Sequence, residues 1–373
     1  MARISRRQFL TRSLATLGAL AAGAYAGPAA QAAAGVPRHV AVYPPLLPDR
    51  PLPRGYLPVP ARPYRLPQWQ ETPPPPPDRA TLMAHWPEVA QSRVVVVRHA
   101  GALVDGRPDP EVVLQMLDAG VSALADGAAP LAVWQTLFDA DEHVLLKVNC
   151  IAAGGPTQPA VTYAVAQRLQ EAGLAAENLL IFDRTDHELA DAGYALNDTG
   201  AGLQCRGTRG SGSEAVLTQA TVRFYRELDE ADALINLPTP KTHGIAGISA
   251  ALKNHYGSVD SPGRLHGGGC DPAIPELNAQ PVVRDKTRLC VGAALRVSPF
   301  DWNSPLPENA LLLSCDPVAL DTVARDILVR QIEAAGRAAG AAVEGSHHLV
   351  TAQRMQLGAT DPALIDLREV VLA

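Results

Sequence analysis

Short apolar runs alternate with longer segments of mixed polarity along most of this 373-residue chain. A short apolar run between polar residues is typical of a buried strand, and such runs predict strands at 94–97, 144–149, 179–182, 233–237, 289–295, 310–314 and 367–372. Helical patterns fall between them, near 110–117, 130–138, 159–172, 245–256, 317–335 and 346–356. This alternation predicts an α/β fold with a mainly parallel sheet and helices on both faces.

Local signals mark several helix ends. Asp109 and Asp316 each precede a proline, which places a capping side chain before a residue suited to the first helical position. Gly173 and Gly358 follow two of the helical segments, where glycine is favoured as a terminator. We therefore expect Asp316 to cap a helix, although it also follows a strand.

The first 35 residues are typical of a targeting segment. Ser5-Arg6-Arg7-Gln8-Phe9-Leu10 resembles a twin-arginine export signal, and an apolar run from Leu14 to Ala26 follows it. Signal cleavage is expected after Ala26 or after Ala32. We therefore predict that the twin-arginine machinery exports the folded protein to the periplasm or out of the cell.

Residues 36–90 are predicted to be a proline-rich arm or linker, and residues 91–373 the α/β domain. Tyr43 to Asp78 is saturated with proline, which fixes φ and removes hydrogen-bond donors, so an extended arm without a sheet or a long helix is expected. Within the domain, residues 185–223 are glycine-rich and predict loops and short elements.

Charge and cysteine content narrow the function. The formal charge is −6 and the pI about 5.9, which gives no reason to expect nucleic acid as a partner. After the signal, no apolar stretch reaches the roughly 18 residues of a membrane span. The five cysteines are scattered without a Cys-x-x-Cys pair, so no ferredoxin-type iron–sulfur motif is present.

Polar residues gather after the predicted strands and in the stretch 231–271. In open α/β sheets, ligands bind beyond the carboxyl ends of the strands. A lysine inside a buried strand, such as Lys147, also needs a partner or an open strand end. His255 is expected to serve the C-terminus of a helix. The candidate site residues are Lys147, Asn149, Asp183, Lys241, His243, Lys253, Asn254, His266 and Cys270.

These segments resemble, in order and spacing, a bacterial and archaeal family named only as domain of unknown function 362. The matching pieces lie between Arg93 and Leu328: Leu146-Lys147-Val148-Asn149, Ala231–Pro238, Lys241-Thr242-His243, Ala251–Asn254 with Gly257, His266, and Ser314–Asp321. Val148 stands where the family usually has proline, and Val291-Gly292-Ala293 lacks an aspartate that the family often has. Some members carry ferredoxin-like cysteine clusters, which this chain lacks. The resemblance implies the fold and the place of the site, but the family name supplies no reaction.

Three functions fit these residues. In the first, an enzyme acts on a small anionic metabolite. Lys147, Lys241 and Lys253 would neutralise its charge, since lysine ammonium groups suit carboxylate and phosphate. Asn149, Asp183 and Asn254 would bind and orient it. His243 and His266, with Lys241, would carry the catalysis, because imidazole exchanges protons near neutral pH.

The second function is a metal site, in which His243, His266 and Cys270 hold one transition metal, either zinc, copper or iron, for redox or hydrolytic chemistry. The third is a non-catalytic accessory subunit of an exported redox complex. Serine-hydrolase, zincin, Walker-loop and Gly-x-Gly-x-x-Gly motifs are absent from the sequence. All three hypotheses predict that the lysines and histidines of the site converge in space.

Overall fold

The structure is a computed structural model, and it describes residues 38–39, 56–66, 72–151, 155–301 and 304–373. The predicted export signal and much of the predicted arm lie outside these residues. The strands are β1 (Arg38–His39), β2 (Ala61–Pro63), β3 (Ser92–His99), β4 (Leu103–Val104), β5 (Arg107–Pro108), β6 (Val144–Val148), β7 (Leu179–Phe182), β8 (Gln204–Arg206), β9 (Ser211–Val216), β10 (Thr221–Tyr225), β11 (Ala233–Leu237), β12 (Lys241–His243), β13 (Gly247–Ser249), β14 (Thr287–Val297), β15 (Leu306–Ser314) and β16 (Ile365–Leu372).

The helices connect these strands. They are α1 (Arg79–Met83), α2 (Pro110–Leu124), α3 (Pro130–Leu137), α4 (Pro159–Glu171), α5 (Asp186–Asp191), α6 (Arg226–Glu230), α7 (Ala251–Asn254), α8 (Ala273–Asn278), α9 (Pro281–Arg284), α10 (Pro317–Ala334), α11 (Gly340–Glu344) and α12 (His347–Arg354). Short 3-10 turns cover His255–Ser258, Pro262–Leu265 and Gly267–Cys270, among others. The aspartate caps form as predicted: Asp109 accepts the N–H groups of Glu111 and Val112, and Asp316 those of Val318 and Ala319.

Within the described residues, nine strands form the main sheet in the order β2-β16-β3-β15-β14-β11-β6-β7-β8. Every neighbouring pair is parallel except the two that involve β15, which runs antiparallel to β14 and β3. The prediction of a mainly parallel sheet is confirmed. Because β6, β7 and β11 are parallel neighbours, their carboxyl ends meet at one edge, whereas β15 delivers Asp316 to the opposite edge.

Helices cover both faces of this sheet, as predicted. Alternate residues of β3 point to opposite sides: Val95 and Val97 join the core formed with α2, α3 and α4, while Val94 and Val96 join the core formed with α10. Helix α2 lies so close to the sheet that a Cβ on Gly120 would approach Leu313 Cδ1 to 2.4 Å. Two apolar layers therefore hold the strand ends in place.

The described part of the arm differs from the expectation that it forms no sheet. Ala61–Pro63 adds a short edge strand parallel to β16, and Tyr64 N–H donates to Glu369 O at 2.7 Å. Proline is tolerated there because an edge strand leaves one side of its backbone unpaired. The side chain of Asp326 holds the same segment by accepting from Tyr56 Oη and Val59 N.

Residues 185–223 consist of loops and short elements, as predicted: helix α5, an edge strand β8 of the main sheet, and the β9–β10 hairpin that pairs with β1. Another segment departs from prediction. The predicted helix at 245–256 begins only at Ala251. Its first half is instead β13, which pairs with β12. Gly247 in this strand has a φ of +74°, and a Cβ on it would collide with the backbone of Gly345 and Ser346. Tertiary contacts at that glycine explain the change from helix to strand.

Among the described residues, no helix combines the length and apolarity needed to cross a bilayer. All five cysteines are buried free thiols.

Candidate active site

A cavity of about 240 Å³ lies at the carboxyl edge where β6, β7 and β11 end. Eight of the nine predicted site residues line it: Lys147, Asn149, Asp183, Lys241, His243, Lys253, Asn254 and His266. The ninth, Cys270, is completely buried and does not line the cavity. The structure therefore shows the convergence expected from the sequence, while the chemical roles of these residues stay predictions.

The floor of the cavity is a buried ion pair between neighbouring strands. Lys147 Nζ lies 2.9 Å from Asp183 Oδ1 and donates to the carbonyl of Val148 at 2.6 Å. Asp183 also accepts the N–H groups of Cys150 and Arg184. Both charged side chains are almost inaccessible to solvent, and each makes several hydrogen bonds. The pair is therefore a fixed structural element.

An amide network supports that floor. Asn254 Nδ2 donates to Lys147 O at 3.2 Å and to Asn236 Oδ1 at 2.8 Å. Asn236 in turn faces His255 Nε2 at 3.2 Å, and His255 Nδ1 lies 3.1 Å from Ser258 Oγ. Burial lowers the pKa of His255 to about 3. His255 does follow the last residue of helix α7, as expected, but its ring is buried and neutral and so brings no positive charge to that helix end.

Lys241 begins β12, just beyond the end of β11. Its Nζ donates to Asn149 Oδ1 at 2.5 Å and to Ile151 O at 3.0 Å. Both acceptors are neutral oxygens, and the side chain is only 1% exposed. Burial lowers the pKa of Lys241 to about 8, with Asp183 opposing that shift.

The opposite wall carries Lys253 and His266. Lys253 Nζ lies 3.4 Å from His266 Nε2 and 4.2 Å from the centroid of the Tyr256 ring. No carboxylate of the described residues lies within ion-pair distance of this lysine. Burial lowers the pKa of Lys253 to about 8 and also lowers that of His266.

The hydrogen bonds define the proton positions of the two histidines. His266 Nδ1 faces the carbonyl of Pro262 at 3.0 Å, so Nδ1 carries the hydrogen and Nε2 is the acceptor. His243 Nδ1 accepts the N–H groups of Ile245 and Ala246, so its Nε2 carries the hydrogen. The two rings stack with centroids 5.6 Å apart. Burial lowers the pKa of His243 to about 3, so both rings are neutral near pH 7. The pair thus offers one proton acceptor and one donor.

A capping carboxylate positions the element that carries Lys253. Asp321 of α10 is fully buried and accepts the N–H groups of Ala251 and Leu252 at 2.5 and 3.0 Å. Burial raises the pKa of Asp321 to about 7, and the two N–H donors oppose that shift. Helix α7 is short, so this anchor and the Asn254 network determine where Lys253 lies.

Lysine is concentrated at this cavity. The chain has 32 lysine and arginine residues, of which only four are lysines, and three of the four line the cavity. The fourth, Lys286, donates to Leu228 O and Asp229 O elsewhere. Arginine supplies the other 28 of these 32 residues. Lysine differs from arginine in carrying a compact charge on an amine whose pKa shifts readily.

Sequence reasoning missed several lining residues. Arg184 lines the cavity and pairs with Glu188, and its position directly after Asp183 at the strand end was the available signal. Tyr256 supplies the ring under Lys253, but an aromatic residue near a helix end carries no such signal. Gly257 approaches the floor so closely that a Cβ would lie 2.8 Å from both Asp183 Oδ1 and Lys147 Nζ.

The three predicted metal donors, His243, His266 and Cys270, are not arranged in a way that favours metal binding. Across the described ranges, no group of three His, Cys, Asp or Glu side chains could hold a metal ion. His243 Nδ1 already accepts backbone N–H groups, and His266 Nε2 faces a lysine ammonium, which opposes a second cation. Burial raises the pKa of the Cys270 thiol. Metal binding stays a prediction, which elemental analysis of the protein beside a His243→Ala/His266→Ala variant tests.

The fold and the cavity define the class: an α/β protein with a lysine-rich cavity at the carboxyl edge of a mainly parallel sheet. Residues 144–326 match the model of a family described as a domain of unknown function (DUF362). This match supports the predicted resemblance over a segment that contains the whole constellation from Lys147 to His266.

Two other comparisons add little. No curated protein matches the sequence. The chain is similar to the crystal structure of a protein from Thermotoga maritima, with 11% identity and a TM-score of 0.37, over 60% of this chain and 59% of that chain. The chain therefore matches less than two thirds of that protein.

Proposed function

We propose that this protein is an exported enzyme that acts on a small anionic metabolite held in the lysine-lined cavity. The observation that carries the proposal is the charge of the lining. Four cationic side chains, Lys147, Arg184, Lys241 and Lys253, face the cavity with one carboxylate, Asp183, although the chain as a whole is acidic. A cleft lined by one sign of charge concentrates the field and attracts ions of the opposite sign.

Size supports a small ligand. Pockets that take drug-sized molecules usually measure roughly 300–1,000 Å³, and this one measures about 240 Å³. The polar groups around it comprise ammonium, amide and imidazole groups. Such a lining suits a compact metabolite with one or two carboxylate or phosphate groups.

The residues divide into two roles. Lys241 and Lys253 bind the anionic group, because both ammonium groups line the cavity and an anion complements their charge. Asn149 orients the ligand, and the Lys147–Asp183 pair with Asn254 keeps the floor rigid. His266 Nε2 accepts a proton from the bound metabolite, and His243 Nε2–H donates to developing negative charge. Proton exchange of this kind contributes roughly 10²–10⁴-fold to a rate.

A ligand screen tests the binding half of this proposal. Thermal shift and calorimetry with a panel of carboxylates and phosphates should reveal at least one anion that binds the wild-type protein. Lys241→Met should weaken that affinity roughly 10- to 150-fold, since a hydrogen bond to a charged group contributes about 1.5–3 kcal/mol. Lys286→Met, which removes a lysine outside the cavity, is the matched control. An equal loss of anion affinity in the two variants would contradict the assignment of the binding site to this cavity.

Turnover tests the catalytic half. Each anion that binds is incubated with the protein and followed by NMR, and one should be converted. His266→Gln should lower that rate roughly 10²–10⁴-fold while its affinity for the anion changes by far less. If bound anions remain unchanged in every case, the protein is a binding protein and the enzyme assignment fails.

Export by the twin-arginine route is part of the proposal and rests on Arg6, Arg7 and the apolar run that follows. Residues 1–35 fused to a reporter that must fold in the cytoplasm should carry it out of the cytoplasm. Arg6→Lys/Arg7→Lys in the fusion should retain the reporter inside. Unchanged export of the variant would refute the route.

A further inference from the structure

We propose that Lys253 is a nucleophile that forms an imine with the carbonyl carbon of a small oxo acid, while His266 exchanges the protons. This inference rests on the proposed function, because it identifies the metabolite as an anion that also carries an aldehyde or ketone group. It assigns different tasks to the three lysines of one cavity.

The partners of the three lysines differ. Lys147 is paired with Asp183 and also donates to a backbone carbonyl. Lys241 donates to two oxygens, Asn149 Oδ1 and Ile151 O. Within the described residues, Lys253 has a nitrogen acceptor and an aromatic ring as its partners. A nitrogen base that can take the proton of Lys253 is therefore already in contact with it.

The surroundings of Lys253 favour the free amine. The side chain is 9% exposed, and its charge lies near other cations of the lining. Desolvation and neighbouring cations are the means by which proteins activate lysine as a nucleophile towards carbonyl compounds. The pKa of about 8 agrees with this geometry. Arginine, the usual cation of this chain, cannot form an imine, whereas a lysine at this position can.

The reaction balances with the groups present. His266 Nε2 takes a proton from the Lys253 ammonium, and the amine nitrogen bonds to the carbonyl carbon as the carbon–oxygen π pair moves to oxygen. One proton shifts from nitrogen to that oxygen, giving a carbinolamine. His266 then returns its proton to the hydroxyl group, which leaves as water while the protonated C=N bond forms. No oxidant or reductant is needed, and Lys241 holds the carboxylate of the oxo acid throughout.

Reductive trapping provides a direct test. The full chain is incubated with glyoxylate or pyruvate and sodium cyanoborohydride, which converts an imine into a stable secondary amine. The modified site is then located by peptide mass spectrometry. With only four lysines and the amino terminus available, every amine can be followed in one map. We expect one adduct per chain, on Lys253, formed at least tenfold faster than on Lys286.

Variants separate the roles of the two side chains. Lys253→Arg keeps the charge and should abolish the adduct. His266→Gln should slow trapping at least tenfold at pH 7 and recover at higher pH, where the amine is already free. A merely structural role of His266 would not produce that pH-dependent recovery. Circular dichroism and thermal unfolding of each variant establish that it is folded.

Malonate, an anion without a reactive carbonyl group, distinguishes this inference from the proposed function. Malonate bound in the cavity should protect Lys253 from trapping. If malonate or another simple anion stabilises the protein but no adduct forms on Lys253, the imine is refuted and the anion site stands. An adduct on Lys241 or Lys147, or equal labelling of Lys286, also refutes the assignment. If no anion binds and no adduct forms, both proposals fail.

Discussion

Replacing Lys253 with methionine should make the protein more stable while removing its affinity for anions. Methionine keeps the length and the apolar stem of the side chain but carries no charge. Lys253 is buried, and among the described residues no carboxylate lies within ion-pair distance of it. The native fold therefore bears the cost of desolvating this ammonium group until a ligand arrives.

The magnitude and its pH window follow from the pKa. Burial lowers the pKa of Lys253 from 10.5 to about 8. At about 1.4 kcal/mol per unit, the charged side chain destabilises the fold by roughly 3 kcal/mol. The contact with the Tyr256 ring, about 1–2 kcal/mol when desolvated, is lost in the variant and reduces the gain to about 1–2 kcal/mol. Below pH 8 lysine is charged in both states and the destabilisation is complete. It fades between pH 8 and 10.5, where the unfolded state binds more protons, and is gone above that range.

Urea unfolding at pH 7 and pH 10 measures this difference without knowledge of the ligand. At pH 7 Lys253→Met should unfold at higher urea concentration than wild type, with an unchanged slope. At pH 10 the advantage should be much smaller. Lys286→Met, outside the cavity, controls for the loss of any lysine. A variant that is less stable than wild type at pH 7, or equally stabilised at both pH values, would refute the idea that this lysine is a desolvated charge.

Three further predictions concern the same cavity. Anion affinity should be constant up to about pH 8. Above that pH it should fall by roughly tenfold per pH unit for each lysine that must be charged. Calorimetry across pH 6–10 measures this fall, and affinity that persists to pH 10 would contradict the lowered pKa of Lys241. Asp183→Asn should lower the free energy of unfolding by about 3–5 kcal/mol, because it leaves Lys147 charged and unpaired in the core; adding Lys147→Met should restore part of it, and no recovery would argue against the ion pair. Gly257→Ala should destabilise the protein by about 1–3 kcal/mol through overpacking, whereas Gly263→Ala, with no atom within 4 Å of its Cβ, should unfold like wild type.

The fold was largely predictable because its strands are apolar runs and its two longest helices begin at Asp-Pro pairs. Each of the predicted strands is present, and Asp109 and Asp316 cap as expected. The convergence of the site was predictable for the same reason. Parallel strands deliver the residues that follow them to one edge, so Asn149, Asp183 and Lys241 meet there.

The rest depended on tertiary contacts that leave no local pattern. Residues 245–250 have helix-compatible composition, yet Gly247 lies against the backbone of another loop and the chain forms a hairpin. The proline-rich arm supplies β2 because β16 offers an edge for it to pair with. The sequence of Ala61–Pro63 itself does not predict this pairing. His255 sits near a helix end, as expected, but the fold buries it and makes it neutral.

The site combines two kinds of construction, and this division indicates where the chemistry lies. The strand-end floor, Lys147 with Asp183 and Asn254, has its polar groups paired with one another, so a ligand gains little by displacing them. The loop wall, Lys253 with His266, makes a long contact to one nitrogen and to a ring face. A native fold keeps a buried charge with such weak partners at a cost in stability, and that cost is recovered when an anion binds. The covalent step is therefore expected on the wall, with Lys241 holding the anionic group of the ligand and the floor keeping its geometry.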